Sequence, residues 1–305
     1  MKKLICFALI AGLMMVAGLG LAEGAGMAPD GGALIPMDEY PIVDGSTATL
    51  PLSYALMQAF TGCTAQEAED AIRHNTTNNA FYYLADGEAD ILLVYEPSQA
   101  SFDYMANHGV DYEIAPIGRD ALVFVVNSHN PVNNLSQADI TAIYTGEKTD
   151  WSQIEGGESL PIIPFQRPDA SGSQVMMYNL AVPKDRIMEA PQTMVLTEMD
   201  DLIEGVADYD NSAGALGYSV WFYAANMYAM DEVKILTVDG VGANAASIED
   251  GSYPYVQPFY AVLRTDAPED SAQRRLFDFL NTEEGQRLVR DCGYAGAGDI
   301  SEIGE

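Results

Sequence analysis

The sequence predicts an α/β fold, and three features of the chain lead to that prediction. Short apolar runs alternate with segments of helical periodicity from about Tyr40 to the C-terminus. The run at 121–126 is almost entirely apolar, which is typical of parallel strands covered on both faces. A strand that leads through a turn of glycine and hydroxyl residues into a helix occurs at 44–51 and again at 167–174.

The predicted elements follow one another along the chain. Apolar runs bounded by turn residues predict strands at 40–43, 89–94, 121–126, 162–165, 215–218, 234–238 and 259–263. Helical periodicity predicts helices at 51–60, 65–73, 80–86, 139–144, 173–181, 199–207, 219–229 and 271–290. Pro51 suits a first helical turn, and Gly293 is placed to end the last helix.

The N-terminus has the pattern of a secretory signal peptide. Lys2 and Lys3 precede an apolar run at 4–18, and small residues then precede the first acid, Glu23. The alternative is a membrane anchor, although a spanning helix needs about 20 apolar residues. We therefore expect residues 1–22 to direct export and residues 23–39 to form a linker. The protein is then secreted or held at the cell surface.

The charge of the chain limits its partners. It has 14 basic and 45 acidic residues, a net charge of -31. Nucleic acid is excluded as a partner, because phosphate backbones are bound by clustered Lys and Arg. An anion site in this chain must be local, built from helix ends, hydroxyl groups and one or two arginines against a repulsive field.

Two cysteines follow the predicted signal peptide, Cys63 and Cys292. In an exported protein they can form a disulfide. The alternative is two free buried thiols, and the sequence does not give the separation that decides between them.

The first glycine–hydroxyl turn is Gly45-Ser46-Thr47. A helix N-terminus presents unpaired N–H groups and a partial positive charge, glycine lets the backbone approach a ligand, and the two hydroxyls add donors. The turn therefore suits an anion. The alternative is that Ser46 or Thr47 is a plain N-cap.

The second turn runs from Arg167 to Gln174 and contains Ser171-Gly172-Ser173. An arginine fork matches two oxygens of a tetrahedral oxyanion. The alternative is a surface arginine paired with Asp169.

Together these segments resemble the phosphate-binding proteins of bacterial ABC transporters, which have the periplasmic-binding-protein type 2 fold. The most specific match is Arg167 to Ser173, an arginine and three residues before Ser-Gly-Ser, where the family has Arg-x-x-x-Ser-Gly-Thr or Ser. The turn at 44–47 matches the first ligand turn of the family. Further matching segments, which extend the resemblance over about 40–295, lie at 87–91, 130–136, 143–147, 149–152, 214–218 and 284–294.

The resemblance implies two α/β lobes joined by two crossovers, with lobe one at 40–118 and 258–298 and lobe two at 119–257. The ligand would lie in the interlobe cleft and be trapped by hinge bending. The implied ligand-binding residues are Ser46, Thr47, Arg167, Ser171, Gly172 and Ser173. The implied function is capture of inorganic phosphate, without a cofactor or metal, by an extracellular monomer that delivers it to the permease of an ABC importer.

The sequence departs from the family after the strand at 89–94. The family has Ser-Asp there, and the Asp accepts the proton of hydrogen phosphate, whereas this chain has Tyr95 and then Glu96. If Glu96 is the acceptor, sulfate is rejected, since a site built around one hydrogen bond can discriminate about 10⁴-fold. If Glu96 is a solvated loop acid, another oxyanion or a small organic anion becomes the alternative ligand. Arg119 and Asp120, at the crossover, are a second candidate pair.

The sequence predicts no enzyme. His74, His108 and His129 lack metal-site spacing, and no nucleophile elbow is present. The aromatic residues at 218–228 are interpreted as core. Two alternatives from other classes remain: a phosphatase on the same fold, which predicts turnover of phosphomonoesters, and a signalling or adhesion module, for which Arg167 is dispensable.

Overall fold

The computed structural model describes residues 27–169, 171–190, 195–196, 199–208 and 212–298. The predicted signal peptide, 1–22, lies outside these residues. The strands are β1 Val43–Gly45, β2 Ile91–Val94, β3 Tyr112–Asn127, β4 Asn134–Leu135, β5 Ile163–Pro164, β6 Ala215–Val220, β7 Val233–Ile235, β8 Thr237–Val238 and β9 Val256–Arg264. The α-helices are α1 Leu50–Thr61, α2 Ala65–Ala71, α3 Thr77–Asp86, α4 Gln99–Asn107, α5 Gln137–Tyr144, α6 Gly172–Met176, α7 Met199–Asp208, α8 Ala245–Glu249, α9 Ala272–Leu280 and α10 Glu283–Asp291.

A mixed sheet organises the α/β fold that the sequence predicts. Its strand order is β1-β2-β9-β3-β6-β5, and β7 also pairs with β3. The pairs β1–β2 and β5–β6 are parallel, whereas β3 is antiparallel to β6, β7 and β9. The expectation of a parallel strand at 121–126 is therefore wrong. The run is apolar because β3 is central in the sheet and buried on both faces there.

The long strand β3 connects the two lobes. Its first part pairs with β9 as far as Ala121, and from Leu122 onwards it pairs with β6. We call the part built on β1, β2, β9 and the start of β3 the first lobe, and the part built on the rest of β3 with β5, β6 and β7 the second. The predicted lobe boundaries, 118/119 and 257/258, fall inside β3 and β9 and remain a prediction.

The sheet of the first lobe is covered on both faces. Leu92, Val94 and Val262 pack against α3 and α4, in a cluster with Phe81 and Met105. Alternate residues of the same strands point to the opposite face, as the pleat requires. There Ile91, Leu93, Ala261 and Leu263 join a core that includes α1, α9 and α10 and continues into the second lobe. The first glycine–hydroxyl turn is thereby held at the end of a rigid strand.

Two predicted helices need correction. The helix expected at 271–290 is two helices, because Thr282 caps α10 through Gly285 N and an added Cβ at Gly285 would overlap the carbonyl oxygen of Phe279. The helix expected at 219–229 begins later: Ser219 and Val220 end β6, and a π-turn spans Tyr223–Met227. In both places tertiary packing overrides an apolar periodicity.

The predicted linker, 23–39, is packed where the structure describes it. Ala28 and Ile35 are buried, and Ile35 N donates to the carbonyl oxygen of Phe60 on α1. Asp30 accepts two hydrogen bonds from Arg275 of α9, at 3.0 Å each. The folded part thus begins before Tyr40.

The described residues also bear on the state of the two cysteines, on membrane-spanning helices and on metal-binding groups. Cys63 and Cys292 are both free thiols. None of the helices in the described ranges is long and apolar enough to cross a membrane. Within the same ranges, His, Cys, Asp and Glu side chains form no group of three or more that could hold a metal ion.

Candidate functional site

A cavity of about 230 Å³ lies between the two lobes, where residues of both predicted turns meet. Six of the seven predicted site residues line it: Ser46, Thr47, Arg167, Ser171, Gly172 and Ser173. The other described lining residues are Thr76, Thr77, Asn79, Tyr95, Pro168, Met199 and Val220. None of these described lining residues is acidic, so the cavity suits an anion despite the net charge of the chain.

The first turn is held by strand β1 and needs a glycine. An added Cβ at Gly45 would overlap the carbonyl oxygen of Leu93 on the neighbouring strand. Ser46 N donates to that oxygen at 3.0 Å, which continues the pairing of β1 with β2. Ser46 is buried, and neither it nor Thr49 makes a side-chain cap at the helical turn that follows. The plain N-cap reading of Ser46 is therefore wrong.

The Ser46 hydroxyl contacts both the residue that follows β2 and the first residue of α3. Its oxygen accepts from Tyr95 N at 3.0 Å and lies 2.7 Å from Thr77 Oγ1. The two hydroxyls have two hydrogens, of which their mutual bond uses one. Whichever hydroxyl donates in that bond, the hydrogen of the other remains to be given to a ligand.

His74 supports this turn from behind. Its Nδ1 lies 2.7 Å from the carbonyl oxygen of Ser46, and its Nε2 lies 3.1 Å from Ser53 Oγ. A carbonyl oxygen only accepts, so Nδ1 carries the hydrogen and Nε2 accepts from the serine hydroxyl. Burial lowers the pKa of His74 to about 4, against smaller opposite effects of the Ser46 carbonyl and Asp44. His74 is thus a neutral prop for the turn.

Arg167 lies at the start of the second turn and is buried, with 8% of its surface exposed. Its backbone N donates to Gln174 Oε1 and to the hydroxyl oxygen of Tyr218, both at 3.0 Å. The carboxylate of Asp169 accepts from Lys184 at 2.7 Å and from the Tyr178 hydroxyl at 2.6 Å. A surface arginine paired with Asp169 is therefore not what the structure shows.

The second turn starts the helical segment Gly172–Met176, which continues as a π-turn over Met177–Ala181. Ser171 caps this segment by accepting a hydrogen bond from Gln174 N at 3.2 Å. As at any helix N-terminus, the first N–H groups have no partner within the helix. Ser173 Oγ is buried without a hydrogen-bond partner in the described residues. A buried hydroxyl of this kind normally has a partner, and a ligand in the cavity would supply it.

The two lobes are in close contact at Gly172. An added Cβ there would lie 2.7 Å from Thr77 Oγ1 and 3.7 Å from Tyr95 Cβ, both in the first lobe. Only glycine permits this separation, so the second turn can close over the Ser46–Thr77 pair.

Glu96 is the predicted site residue that the structure does not bring to the cavity. Its carboxylate accepts from the Tyr260 hydroxyl on β9 at 3.2 Å. The alternation of side chains along the chain explains this position, because Tyr95 faces the cavity and its neighbour faces away.

Four lining residues stand in no distinctive sequence motif. Thr76 and Thr77 precede a helix in the sequence, a place where threonine can be a plain cap or add a donor, yet Thr76 has a positive φ of 72° and makes no side-chain cap. A non-glycine residue in this strained region often marks a functional site. Asn79 and Tyr95 were not predicted. The available signal was a pair of hydroxyl residues before a helix, as in the two predicted turns.

Comparisons with known proteins identify relatives in sequence and in fold. The phosphate-binding protein PstS of Bacillus subtilis is 25% identical over 268 residues, which cover 85% of this chain and 81% of that protein. Alkaline phosphatase L of Pseudomonas aeruginosa is 27% identical over 144 residues, covering 47% of this chain and 38% of that one. A phosphate ABC transporter substrate-binding protein of Clostridium perfringens, solved with bound phosphate, has a TM-score of 0.66 at 23% identity and covers 83% of this chain and 98% of that chain.

The similarity to the solved structure of the Clostridium perfringens protein establishes the two-lobe fold. A family model described as a PBP superfamily domain matches residues 38–280, which is well over half of the chain. The chain therefore belongs to the PBP superfamily, whose solved relatives are two-lobe binding proteins.

Proposed function

We propose that this protein captures inorganic phosphate in the interlobe cavity and delivers it to an ABC importer. The observation that carries the proposal is the set of donors that converge on the cavity. Arg167 supplies a buried cation, and Ser46, Thr47, Ser171 and Ser173 supply hydroxyls. Charge-assisted bonds from a planar guanidinium and several neutral donors match a tetrahedral oxyanion.

The context of the proposal comes from the sequence and from relatives. In this proposal the predicted signal peptide directs the protein across the cytoplasmic membrane, and the protein acts as a secreted or surface-held monomer whose partner is a membrane permease. The names of PstS and of the Clostridium protein support phosphate as the ligand. We propose that the protein binds without catalysing a reaction, and that the partial match to alkaline phosphatase L reflects a shared fold.

Titration calorimetry of the exported chain, residues 23–305, with phosphate tests the proposal. We expect one site per chain, together with a rise in the unfolding temperature, because a ligand at 100 times its Kd adds about 2.7 kcal/mol. Sulfate, molybdate and a phosphomonoester at equal ionic strength are the comparison ligands. Absence of phosphate binding contradicts the proposal, and release of phosphate from the monoester would favour a phosphatase.

The position of Glu96 leads to a separate prediction. Because its carboxylate contacts Tyr260 and not the cavity, Glu96→Gln is expected to change phosphate affinity by about twofold at most, as for other substitutions outside a site. The preference for phosphate over sulfate is expected to stay the same. Competition calorimetry measures both quantities, and a loss of the preference would restore Glu96 as the proton acceptor.

A further inference from the structure

A buried carboxylate lies where β3 passes from the first lobe to the second. Asp120 precedes Ala121, the last residue of β3 that pairs with β9, and Leu122 is the first that pairs with β6. Asp120 is completely buried. Bending between the lobes must act on the strands at this point, so the contacts of Asp120 are sensitive to closure.

Asp120 accepts hydrogen bonds from both lobes. The Tyr95 hydroxyl, in the first lobe, donates to Oδ2 at 2.6 Å. Phe222 N, just beyond β6 in the second lobe, donates to Oδ1 at 3.1 Å, and Ala121 N donates to the same oxygen at 2.7 Å. The carboxylate thus links the two lobes.

Tyr95 carries this contact to the cavity. Its side chain is fixed by Asp120 and by the ring of Phe259, at a centroid distance of 5.8 Å. Its backbone N donates to Ser46 Oγ, which belongs to the anion-binding turn. A change at Asp120 therefore reaches the anion-binding turn through Tyr95 and two hydrogen bonds.

No cation balances the charge of Asp120 among the contacts of the described residues. The titratable groups that face it are two phenols, Tyr95 and Tyr294, and burial raises the pKa of both above the usual range, so they stay neutral. Arg119 donates instead to the carbonyl oxygen of Glu249 at 3.0 Å. Burial raises the pKa of Asp120 to about 7, although four hydrogen bonds oppose the rise.

We propose that Asp120 is a positioning residue that couples closure of the lobes on phosphate to the uptake of one proton from solvent. The inference rests on the proposed function. The proton binds a carboxylate oxygen of Asp120, and the Tyr95 hydroxyl can then accept where it had donated. Gln257, at the position of β9 paired with Asp120, has a buried amide oxygen without a hydrogen-bond partner in the described residues and offers a further acceptor.

The sign of the effect follows from linkage. Closure buries the carboxylate and a bound anion repels its charge. In the inference these two effects outweigh the hydrogen bonds that closure brings from both lobes, so the pKa of Asp120 is higher in the closed, liganded form than in the open form. Phosphate affinity is then fully present at low pH and falls as pH rises towards and through about 7. One linked proton corresponds to about a tenfold change in affinity per pH unit.

The test compares the wild type with Asp120→Asn by calorimetry at pH 5.5 to 8. Asparagine keeps the shape and is never ionised: its oxygen can accept from Ala121 N and Phe222 N, while its amide donates to the Tyr95 oxygen. Phosphate itself titrates in this range, but equally for both proteins. We therefore expect the ratio of wild-type Kd to variant Kd to rise by at least about tenfold across the range. Asp111→Asn, an exposed aspartate, is the matched control.

Each outcome decides between the proposals. A ratio that stays constant within about twofold overturns the role of Asp120, since no linked proton is then present. If the wild type does not bind phosphate at any pH, the proposed function fails and this inference with it. If Asp120→Asn does not fold, Tyr95→Phe replaces it. That variant removes one bond to the ionised carboxylate, so the fall in affinity should move to higher pH, and an unmoved profile overturns the inference.

Discussion

Arg167→Ala is expected to lower phosphate affinity at least about 100-fold. The guanidinium is the cation of the cavity lining, and it is buried beside hydroxyl groups that carry no charge. Charge-assisted hydrogen bonds contribute about 1.5–3 kcal/mol each, and a fork makes two of them. The long-range field of a chain with net charge -31 adds nothing favourable, so no other group replaces this interaction. Calorimetry with phosphate measures the loss.

One further variant separates the geometry of the Arg167 side chain from its charge, and a second serves as a control. Arg167→Lys keeps the positive charge but presents a point donor, so we expect an intermediate loss of about tenfold or more. Arg186→Ala removes an exposed arginine of the same lobe and should bind as the wild type does. Equal affinity of Arg167→Ala and the wild type would contradict the proposed site, provided that the unfolding temperatures without ligand agree.

The sequence predicts the chemistry of the site better than its shape. Ser46 and Arg167 were predictable because each stands in a local motif, a strand–turn–helix with glycine, which specifies a backbone conformation within a few residues. Tyr95 and Thr77 depend on contacts with Ser46 over 49 and 31 residues of sequence. Such contacts are set by the pairing of β1 with β2, which no local pattern encodes.

The same distinction explains Glu96. Its position one residue after the acid of the family was visible in the sequence, but the face on which it lies was not. A shift of one residue in extended chain moves a side chain to the opposite face. Strand β3 gives a comparable case, because its apolar run predicted burial on both faces correctly and the direction of its neighbours wrongly.

Gly172→Ala is expected to lower phosphate affinity about tenfold or more, with little change in the unfolding temperature without ligand. An added Cβ at this position lies 2.7 Å from Thr77 Oγ1, closer than such atoms approach, so either the Thr77 hydroxyl turns away from Ser46 or the lobes part. Parting the lobes withdraws the Ser171–Ser173 turn from an anion that the Ser46 turn holds. In the open form the methyl group is unopposed, and the fold of each lobe is unaffected.

A double-mutant cycle with Thr77→Ala tests that explanation. Removal of Oγ1 leaves Thr77 Cβ as the next atom, at 3.6 Å from the added Cβ, which is an ordinary contact. Gly172→Ala should therefore cost less affinity in the Thr77→Ala background than in the wild type, with a coupling energy of about 0.5–3 kcal/mol. Gly242→Ala is the matched control, because an added Cβ there finds only Thr237 Cγ2, at 3.9 Å. Strictly additive losses would mean that the glycine acts through backbone flexibility, whereas coupled losses would show that closure of the lobes at this contact determines how tightly phosphate is held.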